Sequence, residues 1–208
     1  MESSLRAVFF DAGGTILHVR SSVGEVYAAA AERWGCRADP GEVGRGFRRA
    51  WKRSLLRREL AKYKASDDIL RAEWKRVVIE TFDEKIPAAV IDRLFEELYD
   101  HFSGPEPWLV AEGARETLAA LKKEGLSLGI LSNWDSRLPG CLKELGIYDC
   151  FDHHVISYQV GVEKPHPRIF EEASRVSGLP PGALLMVGDS LEQDILPALE
   201  FGWRALWQ

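Results

Sequence analysis

The sequence predicts an α/β fold in which a doubly wound parallel sheet carries an inserted block of helices. Short apolar runs alternate with helical segments after residue 108, which is typical of parallel strands joined by crossover helices. One further apolar run lies near the start of the chain, at residues 5–10. Between these regions the apolar residues recur every three or four positions, the spacing of helices that bury one face. The sheet is therefore predicted to begin at residue 5, to be interrupted, and to resume near residue 109.

The first predicted strand, residues 5–10, is apolar almost throughout and runs directly into Asp11. A strand without alternation is expected to be covered on both faces, as in a parallel sheet. The segment up to Phe102 then has a helical pattern that is broken at ADPGEVG, KASDD and DEKIP. The Pro- and Gly-rich stretch SGPEPW ends this segment. We therefore predict about four helices and no strand within it.

Helices and strands are predicted to alternate after Trp108. The helices are EGARETLAALKKEG, DSRLPGCLKELG with a possible cap at Asp135, HPRIFEEASRVSG and EQDILPALEFG. The strands are LSLGILSN, HHVIS, ALLMVGD and WRALW, with right-handed crossovers as the default connection. The prediction is thus a Rossmann-like core of residues 1–17 and 107–208 and an all-helical cap domain of residues 18–106. Such a cap is expected over the carboxyl ends of the strands, where open α/β sheets bind ligands.

Composition limits the class of protein. The formal net charge of −5 and the pI of about 5.6 argue against a nucleic-acid binder that works by phosphate neutralisation. No apolar run approaches the roughly 20 residues of a membrane span, and the N-terminal run does not resemble a signal peptide. The three cysteines lack metal-type spacing and favour a reducing compartment. We therefore expect a cytoplasmic protein with no nucleic-acid or membrane partner. Monomer and homodimer are both compatible with this composition.

Residues able to perform chemistry follow the predicted strands. They are Asp11 after the first strand, Ser132 and Asn133 after the second, Lys164 before Pro165 in a later loop, and Asp189 and Asp194 in VGDSLEQD. Because the carboxyl ends of parallel strands meet at one edge of a sheet, these side chains are expected to come together.

The order and spacing of DAGGT, LSN, KP and GDSLEQD resemble the haloacid dehalogenase superfamily of hydrolases, in the subgroup with a helical cap after the first strand. The resemblance covers nearly the whole chain. It implies that Asp11 is a nucleophile, that Ser132 binds a phosphoryl oxygen, and that Lys164 neutralises charge. It also implies a Mg²⁺ ion bound by Asp11, Asp189 and the backbone carbonyl of Gly13, and a small phosphorylated substrate.

The residue types suit these roles. A carboxylate such as Asp11 can attack and form an acyl intermediate that water later cleaves, and a fixed lysine offsets the developing negative charge. Paired aspartates suit a hard cation such as Mg²⁺. Adjacent glycines allow a tight turn and leave amide groups near an anion. We expect further substrate contacts from Asn133, Gly14 and Thr15, the last of which could also cap the turn. Asp194 either adds to the metal site, directly or through water, or pairs with Lys164.

One feature departs from the family pattern. Phosphatases of this family usually have a second aspartate two residues after the nucleophile, where this chain has Gly13. General acid catalysis contributes typically about 10²–10⁴-fold, so another group or a good leaving group is needed. His18 is a candidate replacement. His153, His154 and His166 lack a supporting carboxylate or cysteine cluster and are not expected to bind metal.

Three functions follow from this departure. We favour a magnesium-dependent hydrolase of a small phosphorylated molecule, because Asp11, Ser132, Lys164 and Asp189 are all present. The first alternative is a metal-independent 2-haloacid dehalogenase, since halide leaves without a proton. Dehalogenases of the family, however, have a final motif resembling Ser-x-Asn-x-x-Asp rather than the Gly188-Asp189-Ser190 of this chain. The second alternative is a weakly active or non-catalytic protein that binds a phosphorylated ligand.

Overall fold

A computed structural model describes residues 4–83 and 86–208. The chain forms two compact units. The core unit contains the described residues up to His18, the segment Lys62–Asp67, and Val110–Gln208. The helical unit contains Val19–Ala61 and the described residues of Asp68–Leu109. Part of the predicted break at DEKIP lies outside the described residues.

The regular elements follow one another along the chain. They are β1 (Ala7–Phe10), β2 (Leu17–Val19), α1 (Val23–Arg33), α2 (Pro40–Leu60), α3 (Asp67–Thr81), α4 (Ala88–His101), β3 (Trp108–Val110), α5 (Ala114–Lys123), β4 (Ser127–Ser132), α6 (Leu138–Glu144), β5 (His153–Ile156), α7 (Ser157–Val160), α8 (Pro167–Ser177), β6 (Leu184–Gly188), α9 (Leu196–Glu200) and β7 (Arg204–Trp207). A π-helical turn, Leu191–Ile195, precedes α9. In the described residues no helix is both long and apolar enough to cross a membrane.

The core unit is built on a five-stranded sheet in the order β5-β4-β1-β6-β7. All of its strand pairs are parallel, with Phe10 opposite both Ile130 and Val187. Every residue of β1 is buried, as expected for the central strand of a sheet covered on both faces. The prediction of a parallel α/β core is therefore confirmed, and the ends of β1, β4 and β6 meet at one edge.

Packing around Phe9 fixes the sheet. The Phe9 ring lies 5.3 Å from the Trp203 ring, centroid to centroid, within a buried cluster that includes Phe170 and Met186. On β4, a side chain at Gly129 would overlap the Phe9 ring, so a glycine is needed for the two strands to accept this aromatic residue. Close packing of this kind holds the strand ends at fixed positions.

The helical unit contains α1–α4, which matches the predicted number of helices. A capping box between Ser22 and Glu25 starts α1, and Asp39 caps α2 ahead of Pro40. Tyr27 is buried at the centre of the unit, and the Trp74 indole N–H donates a 2.9 Å hydrogen bond to its hydroxyl. Aromatic side chains from α1, α3 and α4 therefore form the core of this unit.

Three features differ from the sequence-based expectations. The strands β2 and β3 form a separate two-stranded sheet at the ends of the predicted helical segment. Residues 62–67 belong to the core unit, where the Tyr63 carbonyl accepts a 2.7 Å hydrogen bond from the Glu163 amide. Helix α6 begins at Leu138 rather than near Asp135, whose carboxylate pairs with the Arg137 side chain and accepts a 3.1 Å hydrogen bond from the Arg137 amide just before the helix.

Asp152 illustrates how a loop carboxylate can fix a strand. Its Oδ2 accepts hydrogen bonds from the Leu128 amide at 2.8 Å and the Ser127 hydroxyl at 3.0 Å, and Lys122 pairs with Oδ1. Burial raises the pKa of the carboxyl, but these hydrogen bonds outweigh it and hold the pKa below its ordinary value. The ionised form therefore stabilises the start of β4.

We predict that Asp152→Ala lowers the free energy of unfolding by about 1 kcal/mol at pH 7, because the β4 amide loses its acceptor. Since the folded pKa is lowered, the effect is present above the ordinary aspartate pKa and disappears as the pH falls through the folded value. Urea unfolding at several pH values measures it. Asp149→Ala, at another exposed aspartate of the same turn, is the control. Equal losses for both variants would contradict the assignment.

Candidate active site

The Lys164 ammonium lies at the centre of the site. Its side chain is 2% exposed, and its Nζ donates to Asp11 Oδ1 at 2.7 Å, to Asp194 Oδ1 at 2.5 Å and to the Leu131 carbonyl at 2.8 Å. Three acceptors match the three hydrogens of an ammonium group, so the buried charge is fully hydrogen-bonded. The lysine thereby joins the ends of β1 and β4 to the turn after β6.

Asp11 is held at the end of β1 by both its backbone and its side chain. Its amide donates to the Val187 carbonyl at 2.9 Å, which continues the pairing of β1 with β6. The Ser132 hydroxyl donates to Asp11 Oδ1 at 3.1 Å, beside the bond from Lys164. The described residues place both hydrogen bonds on Oδ1 and none on Oδ2. One carboxylate oxygen is therefore positioned while the other is available.

The charges around Asp11 oppose one another. Burial raises the pKa of its carboxyl most strongly, Lys164 lowers it, and the negative charges of Asp194 and Asp189 raise it. The net result is a pKa of about 6. The ionisation of Asp11 therefore depends on the positive charge of Lys164 next to it.

Three carboxylates form a compact acidic cluster. Oxygen atoms of Asp11, Asp189 and Asp194 all lie within 4.8 Å of one another. Asp194 is 1% exposed and lies in the π-helical turn, where Oδ2 accepts a 3.1 Å hydrogen bond from the Ser190 amide. π-Helical turns are frequent at functional sites. Asp194 therefore belongs to this cluster and also pairs with Lys164, so both of the predicted alternatives are compatible with its position.

Asp189 is more exposed than the other two carboxylates. Burial and the charge of Asp194 raise the pKa of its carboxyl, while Lys164 and His18 lower it. His18, the predicted substitute acid, is exposed and lies near enough to Asp189 for this influence. The Trp207 indole N–H donates a 2.9 Å hydrogen bond to the Asp189 carbonyl and so fixes the backbone of the motif from β7.

Two glycines allow the backbone to approach these carboxylates. Gly14 has a φ of +90°, and a side chain there would overlap the Asp189 carboxylate. A side chain at Gly188 would likewise overlap Asp194. Gly14 and Gly188 are therefore required by the limited space around the acidic cluster, and Gly14 also by its backbone conformation.

The Asn133 amide holds the backbone of Lys164. Its Nδ2 donates to the Lys164 carbonyl at 2.9 Å, and its Oδ1 accepts from the Lys164 amide at 2.6 Å. Both ends of the amide thus orient Lys164, and the expected substrate contact of Asn133 stays a prediction.

The Thr15 hydroxyl does not cap the turn, while the expected substrate contact of Thr15 stays a prediction. The side chain is 1% exposed, and its hydroxyl has no hydrogen-bond partner among the residues that the structure describes. The hydroxyl therefore neither caps the turn nor reaches an exposed surface. The turn is held instead by backbone bonds, including one of 2.7 Å from the Leu17 amide to the Ala12 carbonyl.

The structure adds residues that the sequence did not suggest. Ser157 makes two hydrogen bonds with the backbone of Trp134, and Tyr63 contacts the residue before Lys164. No local pattern marks these residues, because each acts through a partner distant in sequence. His154 is one of the histidines that were not expected to bind metal. Its ring stacks on Tyr148, with 4.0 Å between ring centroids, and it does not belong to the acidic cluster.

The fold and the site place the chain among hydrolases that have a parallel α/β core. A family model described as haloacid dehalogenase-like hydrolase matches residues 5–202, and the chain belongs to this family. Haloacid dehalogenase-like hydrolase domain-containing protein 3 of Danio rerio is 34% identical over 207 residues, which cover 98% of this chain and 85% of that protein. The resemblance inferred from the motifs is therefore confirmed.

Solved structures agree with the family assignment. The crystal structure of a dehalogenase with its intermediate complex superposes with a TM-score of 0.76 at 22% identity, covering 100% of this chain and 86% of that one. A HAD phosphatase from Thermococcus onnurineus gives a TM-score of 0.62 at 29% identity, covering 98% and 86%. Proteins with the same fold thus include both a dehalogenase and a phosphatase.

We predict that Lys164→Met in magnesium-free buffer lowers the free energy of unfolding at pH 8 by about 3–5 kcal/mol, because buried carboxylates lose their cation. Without Lys164 the pKa of Asp11 must rise above its value of about 6, so the loss is largest above the raised pKa, shrinks as the pH falls below it, and is smallest at pH 5, where Asp11 is protonated in both proteins. Chemical denaturation at both pH values measures this. Lys122→Met, at an exposed ion pair, is the control, with a loss of about 0.5 kcal/mol. A pH-independent loss in Lys164→Met would contradict the prediction.

Proposed function

We propose that the protein is a magnesium-dependent hydrolase that acts on a small phosphorylated molecule through an aspartyl intermediate. The observation that carries this proposal is the arrangement of Asp11, with Oδ1 held by Lys164 and Ser132 and Oδ2 left available. An activated carboxylate nucleophile needs this combination of fixed position and nearby positive charge.

The reaction has two steps. Asp11 Oδ2 attacks the phosphorus atom, a new O–P bond forms, and the bond to the leaving group breaks with its electron pair. Water then attacks the acyl phosphate, which releases inorganic phosphate and restores the Asp11 carboxylate. Lys164 and the Ser132 hydroxyl lie beside Asp11 Oδ1 and stabilise negative charge there.

The acidic cluster fits a divalent cation. Three carboxylates and one ammonium give a formal charge of −2 when all are ionised. The oxygens lie within 4.8 Å of one another, so the three carboxylate groups converge on one small volume, as the oxygen ligands of a hard cation must. Asp11, Asp189 and Asp194 would hold such an ion, with the Gly13 carbonyl as the further proposed ligand. Bound Mg²⁺ would neutralise charge on the phosphoryl oxygens.

The similarity to the HAD phosphatase from Thermococcus onnurineus supports phosphoryl transfer rather than dehalogenation, since it is 29% identical. The dehalogenase structure, at 22% identity, supports the fold alone. We propose the helical unit as the cap that selects the substrate, and a cytoplasmic location for the enzyme.

A second candidate function is metal-independent dehalogenation of 2-haloacids. The observation that favours it is Gly13, because a halide leaves without a proton donor. The acidic cluster favours the first proposal. Without a bound metal ion, the carboxylates of Asp11 and Asp189 repel the negative charge of a haloacid carboxylate. Chloride release from 2-chloropropionate in the presence of a chelator would establish dehalogenation.

We predict that the wild-type chain binds Mg²⁺ and that Asp189→Asn weakens binding at least about tenfold, because one anionic ligand is lost. Isothermal titration calorimetry measures the affinity. Glu192→Gln, at a nearby exposed acid, is the matched control and should bind Mg²⁺ like the wild type. Unchanged affinity in Asp189→Asn would remove this residue from the metal site.

We predict that hydrolysis requires Mg²⁺ and that p-nitrophenyl phosphate is cleaved faster than an alkyl phosphate by about 10²–10⁴-fold, because Gly13 cannot protonate a leaving alkoxide. Asp11→Asn should abolish turnover of both esters. Phosphate release with Mg²⁺ and with a chelator measures both effects. Equal rates for the two esters would mean that another residue supplies the proton. Ligand-induced thermal stabilisation without turnover of a broad ester panel would instead indicate a binding protein.

A further inference from the structure

We propose that Trp134 determines which leaving group the site accepts, because its indole occupies the space into which a side chain at position 13 would project. This inference rests on the proposed phosphatase function and deepens it. The expected substrate class is a phosphate monoester with a planar, apolar leaving group, such as an aryl phosphate.

The contact between the two residues is close. A Cβ atom built on Gly13 would lie 3.3 Å from Cζ3 of Trp134, tighter than ordinary van der Waals contact. Gly13 is not among the residues with positive φ, so its backbone would accept a side chain. The indole, rather than backbone conformation, is therefore what a side chain at this position would have to displace, by a few tenths of an ångström for a methyl group.

Trp134 is held in place by its backbone. Its amide donates to the Ser157 hydroxyl at 3.0 Å, and the same hydroxyl donates to its carbonyl at 3.0 Å. The Tyr158 amide also donates to this carbonyl, at 3.3 Å. The start of helix α7 and the end of strand β4 are thereby joined, which fixes the backbone from which the indole projects.

The neighbours of this pair connect it to the chemistry. Gly13 lies two residues after Asp11, and Trp134 lies two residues after Ser132, whose hydroxyl bonds Asp11. The half-buried indole thus forms an apolar wall against position 13, where the proton donor is missing. A flat apolar group packs well against such a wall, and its oxygen can leave unprotonated when the charge is delocalised.

The first test is a thermal double-mutant cycle with Gly13→Ala and Trp134→Ala, which needs no catalytic activity. We expect Gly13→Ala to lower Tm by about 2–6 °C in the wild-type background, because the methyl group crowds the indole. In the Trp134→Ala background the same substitution should have little effect. Additive shifts would overturn the proposed contact.

The second test compares KM and kcat for aryl and alkyl phosphates with Mg²⁺ present. We expect Trp134→Ala to raise KM for the aryl ester about threefold to tenfold and to leave KM for the alkyl ester unchanged. Tyr148→Ala is the control, since Tyr148 is also a half-buried aromatic residue of the core unit but precedes β5 at the opposite end of the sheet. Equal effects on both esters would overturn the specificity role.

The third test introduces the absent acid. Gly13→Asp alone should give little alkyl phosphatase activity, because the indole blocks the new carboxyl group. Gly13→Asp combined with Trp134→Ala should exceed Gly13→Asp by about tenfold or more on the alkyl ester. No gain in the double variant would overturn the inference while leaving the proposed function intact. A wild-type chain that hydrolyses neither ester would overturn the proposed function and the leaving-group role, and the thermal cycle would still decide whether the pair exists.

Discussion

The rest of the site depends on the hydrogen bonds of the buried Lys164 ammonium group. It carries a charge at 2% exposure, so it must have acceptors within reach, and it finds them on Asp11, Asp194 and the end of β4. These acceptors come from three parts of the sheet that are distant in sequence. Forming the lysine contacts therefore fixes Asp11, the acidic cluster and the end of β4 together.

The surrounding residues hold the backbone so that Lys164 and the carboxylates lie close together. Asn133 holds the peptide of Lys164 through both ends of its amide, and Trp207 holds the peptide of Asp189. Gly14 and Gly188 remove side chains where two carboxylates approach the backbone. Each of these residues acts on the position of a charged group, so a substitution at any of them is expected to displace that group.

The sequence predicted the parallel core and the residues at its strand ends, because apolar runs and polar strand termini are local patterns. It did not predict that residues 62–67 return to the core unit, since this depends on pairing of Tyr63 and Ala65 with residues about 100 positions away. The bonds of Asn133 were missed for a similar reason. The motif indicated that an amide follows Ser132, but not which partner its two ends would choose.

Gly13 has two consequences for the site: it supplies no proton donor, and it leaves room for the Trp134 indole. Transition-state stabilisation lost with a proton donor must come from elsewhere, either from charges that bind the phosphoryl group or from a leaving group that needs no proton. The site already concentrates its charges at Asp11 and the acidic cluster, and it places an indole beside Gly13. A tryptophan offers packing area but neither a catalytic proton nor a charge, so this side of the site can favour a leaving group only by its shape and apolar surface. We infer that Gly13 and Trp134 together set which leaving group this side of the site accepts.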